Sequence, residues 1–174
     1  KLAQSKELQE QIRNDPSEPL QSPIIRALLC ESLRVLCPVG GIGRTVAQPS
    51  LLTLSNPDND SVISQTLISP GAQVASMMQF AAQDPSIYPQ PDKFDINRHL
   101  NQTSFLPNLP HMPFGHGTHL CPGWYLYYAI SALVIAHLVR NFELSTSFQG
   151  EPRTKIRFVT QITDTISIHL KKKQ

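Results

Sequence analysis

The chain has 174 residues, with 15 Lys and Arg against 13 Asp and Glu, a formal net charge of +2, and cysteines only at 30, 37 and 121. That length fits one domain with a sizeable core, and a near-neutral balance with no basic cluster beyond Lys171-Lys172-Lys173 argues against a nucleic-acid partner. Three cysteines make no disulfide framework, which points to an intracellular, reducing compartment.

In chain order, Leu2, Leu8 and Ile12 recur at helical spacing until Asp15-Pro16 ends the pattern. This reads as the tail of a helix whose start lies upstream. The chain opens on Lys1, so it looks cut or processed from something longer, and an N-terminal targeting or anchoring segment would not be seen in it. Ser22 and Pro23 make an N-cap and first helical position for a second helix, with Ile24, Ile25, Leu28, Leu29, Leu33 and Leu36 on its apolar face up to Pro38. Residues 39–80 are rich in Val, Ile and Thr and are broken at 56–60 and at Ser69-Pro70-Gly71, the pattern of short strands joined by turns. From Asp84 to Pro113 prolines recur without periodicity, a long irregular stretch of the kind that is functional or stapled to the core. A strong helix follows from Pro122 to about Asn141; its apolar run Trp124–Val139 is shorter than the ~20 residues of a membrane span. The alternation of Ile156, Phe158, Ile162, Ile166 and Ile168 suggests a terminal hairpin over 153–170. The fold class is mainly α with small β-sheets, α+β, as one domain over 1–174.

The stretch PFGHGTHLCPGW, from Pro113 to Trp124, carries the chemistry. Placing Pro122 at the first helical position puts the Cys121 sulfur at a helix N-terminus, where free backbone N–H groups favour a thiolate. Gly115 and Gly117 let the backbone turn tightly and approach a flat partner, Gly123 follows the sulfur, and Phe114 is placed to shield it from water. The arrangement describes a thiolate under a large planar cofactor; the alternative is a free, buried cysteine that begins a helix. Cys30 and Cys37 lie on or beside the second helix's apolar face and lack the paired spacings of structural zinc. No serine sits in a strand-to-helix elbow, which sets aside a hydrolase reading of GHGTH. His111, His116 and His137 read as loop or core residues.

The run from Phe114 through Gly117, His119 and Cys121 to Gly123 resembles the haem-binding signature of the cytochrome P450 family, departing from it in having His119 where most members have Arg. Camphor-type bacterial members also carry His there. Glu31-Ser-Leu-Arg34 is similar to the family's Glu-x-x-Arg pair on the K helix, though a Glu and Arg at this spacing can also be an ordinary surface pair. The run Asp84-Pro85, Tyr88-Pro89, Pro91, Phe94 and Asn97-Arg98 resembles the family's meander, with Ile96 where a proline is usual. The resemblance implies the C-terminal part of that fold: K helix, meander, cysteine-ligand loop, L helix and terminal β-hairpin. It implies haem b, iron protoporphyrin IX, with Cys121 as axial ligand to iron and His119 and Arg44 at its propionates. For Arg44 the alternative is a solvated arginine at a strand end. It further implies a buried network of Glu31, Arg34 and Arg98 that pins the meander beside the haem loop.

In function, the resemblance implies a haem-thiolate monooxygenase that inserts one oxygen atom of O2 into an organic, lipophilic substrate, the thiolate pushing electron density toward iron. Substrate contacts fall on the turn Val39, Gly40, Gly41 and Ile42 and on Thr160, Gln161 and Ile162. No catalytic residue is identified, because no acid-Thr pair sits on a distal helix; the oxygen-activating half of the fold is not covered, and the missing N-terminal half is itself a possible partner. The other partners implied are a small organic substrate and a redox partner, a reductase or ferredoxin; the setting is cytoplasmic, or membrane-associated through a segment not present. Two alternatives stay open. One is a hydroperoxide isomerase like the C-terminal domains of fungal fatty-acid diol synthases; the other is a non-oxygenase binding or structural module that lacks the oxygen-activation machinery.

Overall fold

The computed structural model describes all residues except 57, 58, 102–105, 107, 157, 158 and 174, with Ile156 described by its backbone alone. Phe158 of the expected terminal alternation, Pro57 and Asp58 of the turn at 56–60, and Pro107 of the irregular stretch lie outside the described residues. The chain divides into two compact units, one formed by residues 1–40 and 78–174 and the other by 41–77.

The first unit is built on three helices: α1 (Lys6–Asn14), α2 (Pro23–Val35) and α5 (Trp124–Asn141). The first helix is not the tail of a longer one. Residues Leu2–Gln4 form a 3-10 turn, the chain extends at Ser5, and the Ser5 hydroxyl caps a new helix by accepting the Leu8 amide. A capping serine competes for amides that a continuous helix would bond internally, so the pattern of leucines spans a break. The second helix forms as its residues dictate: Ser22 accepts the Ile25 amide at 3.1 Å and Pro23 opens the first turn. Its buried face holds Ile25, Leu28, Leu29, Cys30 and Leu33, each aliphatic side chain contributing about 1.5–3 kcal/mol by burial. Burial pushes the Cys30 thiol up to about 11 and also raises Cys37, which donates to the Val39 carbonyl, so both are core thiols.

Against this face lies α5, whose Tyr128, Ala132, Ala136 and Val139 are buried at helical spacing. Two alanines there leave room for close helix approach. The opposite face of α5 is apolar too, with Tyr125, Leu126, Ile130, Leu133 and Val134 each at least half exposed. This helix begins later than its sequence suggests. Gly123 is the N-cap, and Pro122 lies in the turn before it, in which the Trp124 amide bonds the Cys121 carbonyl.

Gln9 joins α1 to the chain beyond α5. Its amide is buried and bonds both the N–H and the C=O of Leu144, each at 2.9 Å, as a neighbouring strand would. Leu144 belongs to β5 (Phe142–Ser145), which pairs antiparallel with β8 (His169–Lys172), Phe142 opposite Lys172. The expected hairpin over 153–170 is therefore split. Only β6 (Thr154–Ile156) and β7 (Thr160–Ile162) form it, and residues 169–172 pair back on β5. Exposed Ile162 and Ile168 have no buried face to hold a longer alternating ladder. Between the units' boundary at Met78 and α5, regular structure among the described residues is limited to α3 (Met78–Ala82), α4 (Asn97–Leu100) and a 3-10 turn.

The second unit is two antiparallel ladders: β1 (Ile42–Thr45) with β4 (Gln73–Ser76), and β2 (Ser50–Ser55) with β3 (Val62–Ile68). The Ser69-Pro70-Gly71 turn falls between β3 and β4, with Gly71 at φ +84°.

The Gln9 side chain gives a direct test. In Gln9→Ala the buried N–H and C=O of Leu144 both lose their partner, so the chain should lose at least about 2 kcal/mol of stability in urea denaturation, whereas exposed Glu10→Ala should be near neutral.

Candidate functional site

The cysteine loop is held by its own backbone. Gly115 at φ +76° and Gly117 at φ +67° occupy the left-handed region, where a side chain is strained. The Gly115 amide bonds the Met112 carbonyl, the Leu120 amide bonds Gly117, and the Cys121 amide reaches back to the Phe114 carbonyl at 2.9 Å. These bonds close a ring of backbone that ends on Cys121, a free and exposed thiol. A β-carbon at Gly123 would stand 3.7 Å from the Cys121 sulfur, in ordinary van der Waals contact with it. The ring of Phe114 packs at 5.5 Å on Tyr127 of α5 and ties the loop to the helix. His119, at the end of the 3-10 turn Gly117–His119, is exposed.

The second constellation is buried. Glu31 and Arg34 have no exposed side-chain surface and meet in a two-pronged pair, both bonds 2.9 Å, so they are not a surface pair. The remaining Arg34 donors reach the carbonyls of Ala82 at 3.0 Å and Lys93 at 3.1 Å. The Asp95 amide donates to Glu31 Oε1 at 2.8 Å, Arg98 Nε stands 3.5 Å from the same oxygen, and Arg98 bonds the Gln90 carbonyl at 2.9 Å. A further partner was not read from the sequence: buried His99 places Nε2 2.9 Å from Glu31 Oε2. Its only signal is its position, directly after Arg98 in α4. Burial acts to raise the Glu31 pKa, and the bonds from His99, Arg34 and the Asp95 amide outweigh it, leaving the carboxyl down at about 2. Ile96 takes φ −66°, the value a proline would impose, so isoleucine fits the meander in proline's conformation.

Of the other expected residues, Arg44 lies in β1 of the second unit, exposed, its guanidinium on the Gly43 carbonyl. The Thr160 amide donates to the Pro38 carbonyl at 2.8 Å, which brings β7 beside the turn at Val39 and Gly40; Gly41 and Ile42 begin the second unit. Two clefts of about 550 and 570 Å³ run along α1, and no residue of the cysteine loop lines either.

Among the described residues no three His, Cys, Asp or Glu side chains come together as a metal site. A metal at Cys121 must therefore bring most of its own ligands. An exposed thiol on a glycine-turned loop, with bare Gly123 beside it, suits one axial bond to a flat metal macrocycle and fits haem.

In this chain a buried Glu-Arg pair pins an irregular segment, and one exposed thiol is presented beyond it. The family model described as Cytochrome P450 matches residues 2–170, and the chain belongs to that family. It is 34% identical over 131 residues to ferruginol synthase of Salvia fruticosa, covering 74% of this chain and 25% of that protein. It is 27% identical over 146 residues to the mitochondrial cholesterol side-chain cleavage enzyme of Bos taurus, covering 83% and 26%. A solved cytochrome P450DA heme domain superposes with a TM-score of 0.72 at 18% identity, covering 96% of this chain and 37% of that one. The chain thus spans about a quarter of the length of these curated relatives. Its fold is the corresponding part of the P450 fold, and haem is the cofactor that family membership implies. No helix among the described residues is long and apolar enough to cross a membrane.

The buried carboxylate sets a pH dependence. With its folded pKa near 2 against 4.5 for the free side chain, Glu31 contributes stability that is fully present above about pH 4.5 and is lost as pH falls toward 2. A shift of that size corresponds to up to about 3 kcal/mol. Urea denaturation at stepped pH should show this loss in the unsubstituted chain, and Glu31→Gln should lack that part of it while being less stable at neutral pH.

Proposed function

We propose that this chain is the proximal, haem-ligating portion of a haem-thiolate monooxygenase, with Cys121 as the axial ligand to iron. The observation that carries this reading is the exposed Cys121 thiol on its closed glycine loop, with no side chain at Gly123 to cover it. Phe114, Gly115 and Gly117 shape the loop, and His119 holds a propionate from the same 3-10 turn. Cys121 would hold the haem through its thiolate, and the group, when bound, would supply the chemistry for oxygenating a C–H bond with O2.

The chain's own residues do the rest. The loop glycines let backbone approach a macrocycle face, and Glu31, Arg34 and Arg98 keep the meander in place beside it. Val39 and Gly40, with Thr160, Gln161 and Ile162, border the substrate, which is a small lipophilic organic molecule; one relative's name refers to cholesterol. Electrons come from a reductase or ferredoxin.

Haem titration of the chain tests the ligand. The reduced carbon monoxide complex should give the Soret band characteristic of thiolate ligation, and Cys121→Ala should abolish that band. If Cys121→Ala gives the same spectrum, Cys121 is not the ligand.

A further inference from the structure

Three buried rings stand between the Glu31–Arg34 pair and the cysteine loop, and the monooxygenase reading uses none of them. Arg34 lies over the ring of Tyr88, its guanidinium carbon 5.4 Å from the ring centre. The Tyr88 ring also stands 6.4 Å from His99 and meets His111 edge-on at 5.7 Å. The Tyr88 hydroxyl and His111 Nδ1 share a hydrogen bond of 2.9 Å. His111 has no exposed surface, and its Nε2 has no partner among the described residues, so this one bond holds the ring. Directly after His111 the backbone becomes the cysteine loop: Met112 at φ +45°, the Gly115 amide on the Met112 carbonyl, and the Cys121 amide on the Phe114 carbonyl.

We propose that Tyr88 and His111 are positioning residues for Cys121, their hydrogen bond fastening the start of the cysteine loop to the buried Glu31–Arg34 pair. The proposal rests on Cys121 being the working residue of the site. A ring at the start of a loop that tightly turned limits where the loop can go. Freed from Tyr88, the His111–Phe114 segment would lose the side-chain bond that fixes it, and the Phe114 carbonyl would no longer hold a set position for the Cys121 amide. Burial first, then the neighbouring His99 and Arg34, lower the His111 pKa to about 4, so the neutral ring serves this role at neutral pH.

The test is amide hydrogen exchange on the full chain without haem, comparing the unsubstituted protein with Tyr88→Phe, which keeps the ring and removes only the hydroxyl. The Cys121 and Gly115 amides should exchange about five-fold faster, the factor one ordinary hydrogen bond carries, while amides in the middle of α5 stay unchanged. Loop exchange equal to the unsubstituted chain's, or a uniform rise over the whole chain, overturns the proposal. His111→Phe should give the same loop effect, and the double variant no more than the larger single one; additive effects also overturn it. With haem bound, Tyr88→Phe should lower the fraction of thiolate-type Soret band at unchanged haem uptake. Loss of all uptake in the unsubstituted chain would instead count against the ligand reading.

Should Tyr88→Phe fail to fold, acidification of the unsubstituted chain decides. A proton on His111 faces the Arg34 guanidinium, the His99 ring, the Tyr88 hydroxyl and the Glu31 carboxylate. Corrected for intrinsic pH dependence, the loop amides should quicken in step with the His111 ring titration seen by NMR and ahead of those of α5. Loop exchange that ignores this titration overturns the proposal.

Discussion

A carboxylate with no exposed surface stays charged only if donors answer its lone pairs, and Glu31 is such a carboxylate. Both prongs of Arg34, the Asp95 amide and His99 all converge on it, and Arg98 adds a cation at longer range. The interaction works in both directions. Removing the carboxylate would strand a buried guanidinium, and removing a donor would strand part of the carboxylate, so the members hold or fail together.

This constraint explains how a long segment with little helix or strand keeps a defined path. Arg34 spends its remaining donors on the carbonyls of Ala82 and Lys93, and Arg98 takes those of Gln90 and Lys93, so the irregular backbone is bonded by side chains from α2 and α4. Regular structure would satisfy those carbonyls internally; here a buried ion pair does so. The helical core of α1, α2 and α5 gives the rigid floor. The cysteine loop, bonded to itself and packed through Phe114 on Tyr127, rests on α5.

Much of this was legible in the sequence because it follows from local rules. Ser22-Pro23 declares a helix start, the leucines of α2 declare its buried face, and Gly115 and Gly117 mark tight turns of the backbone. Glu31, Arg34 and Arg98 were legible only through resemblance to a family, since a Glu and Arg one turn apart do not say whether they are buried. What escaped depends on residues far apart in the chain. Gln9 lies three positions before Ile12 on the apolar face of α1, a signal in itself, but its partner Leu144 is far along the chain. His99 and His111 carry no periodicity, and their burial follows from where the meander folds. The terminal hairpin was misjudged for a related reason: alternation chooses a strand's face but not its partner, and β8 chose β5.

The fold of the meander depends on Glu31 remaining ionised. Carbon-13 NMR of its side-chain carboxyl, followed against pH in the folded chain, measures this directly. The expected result is a carboxylate signal that persists well below pH 4 and titrates near 2. Titration at the ordinary glutamate value of about 4.3, with the chain still folded, would contradict the network on which the rest of the structure depends.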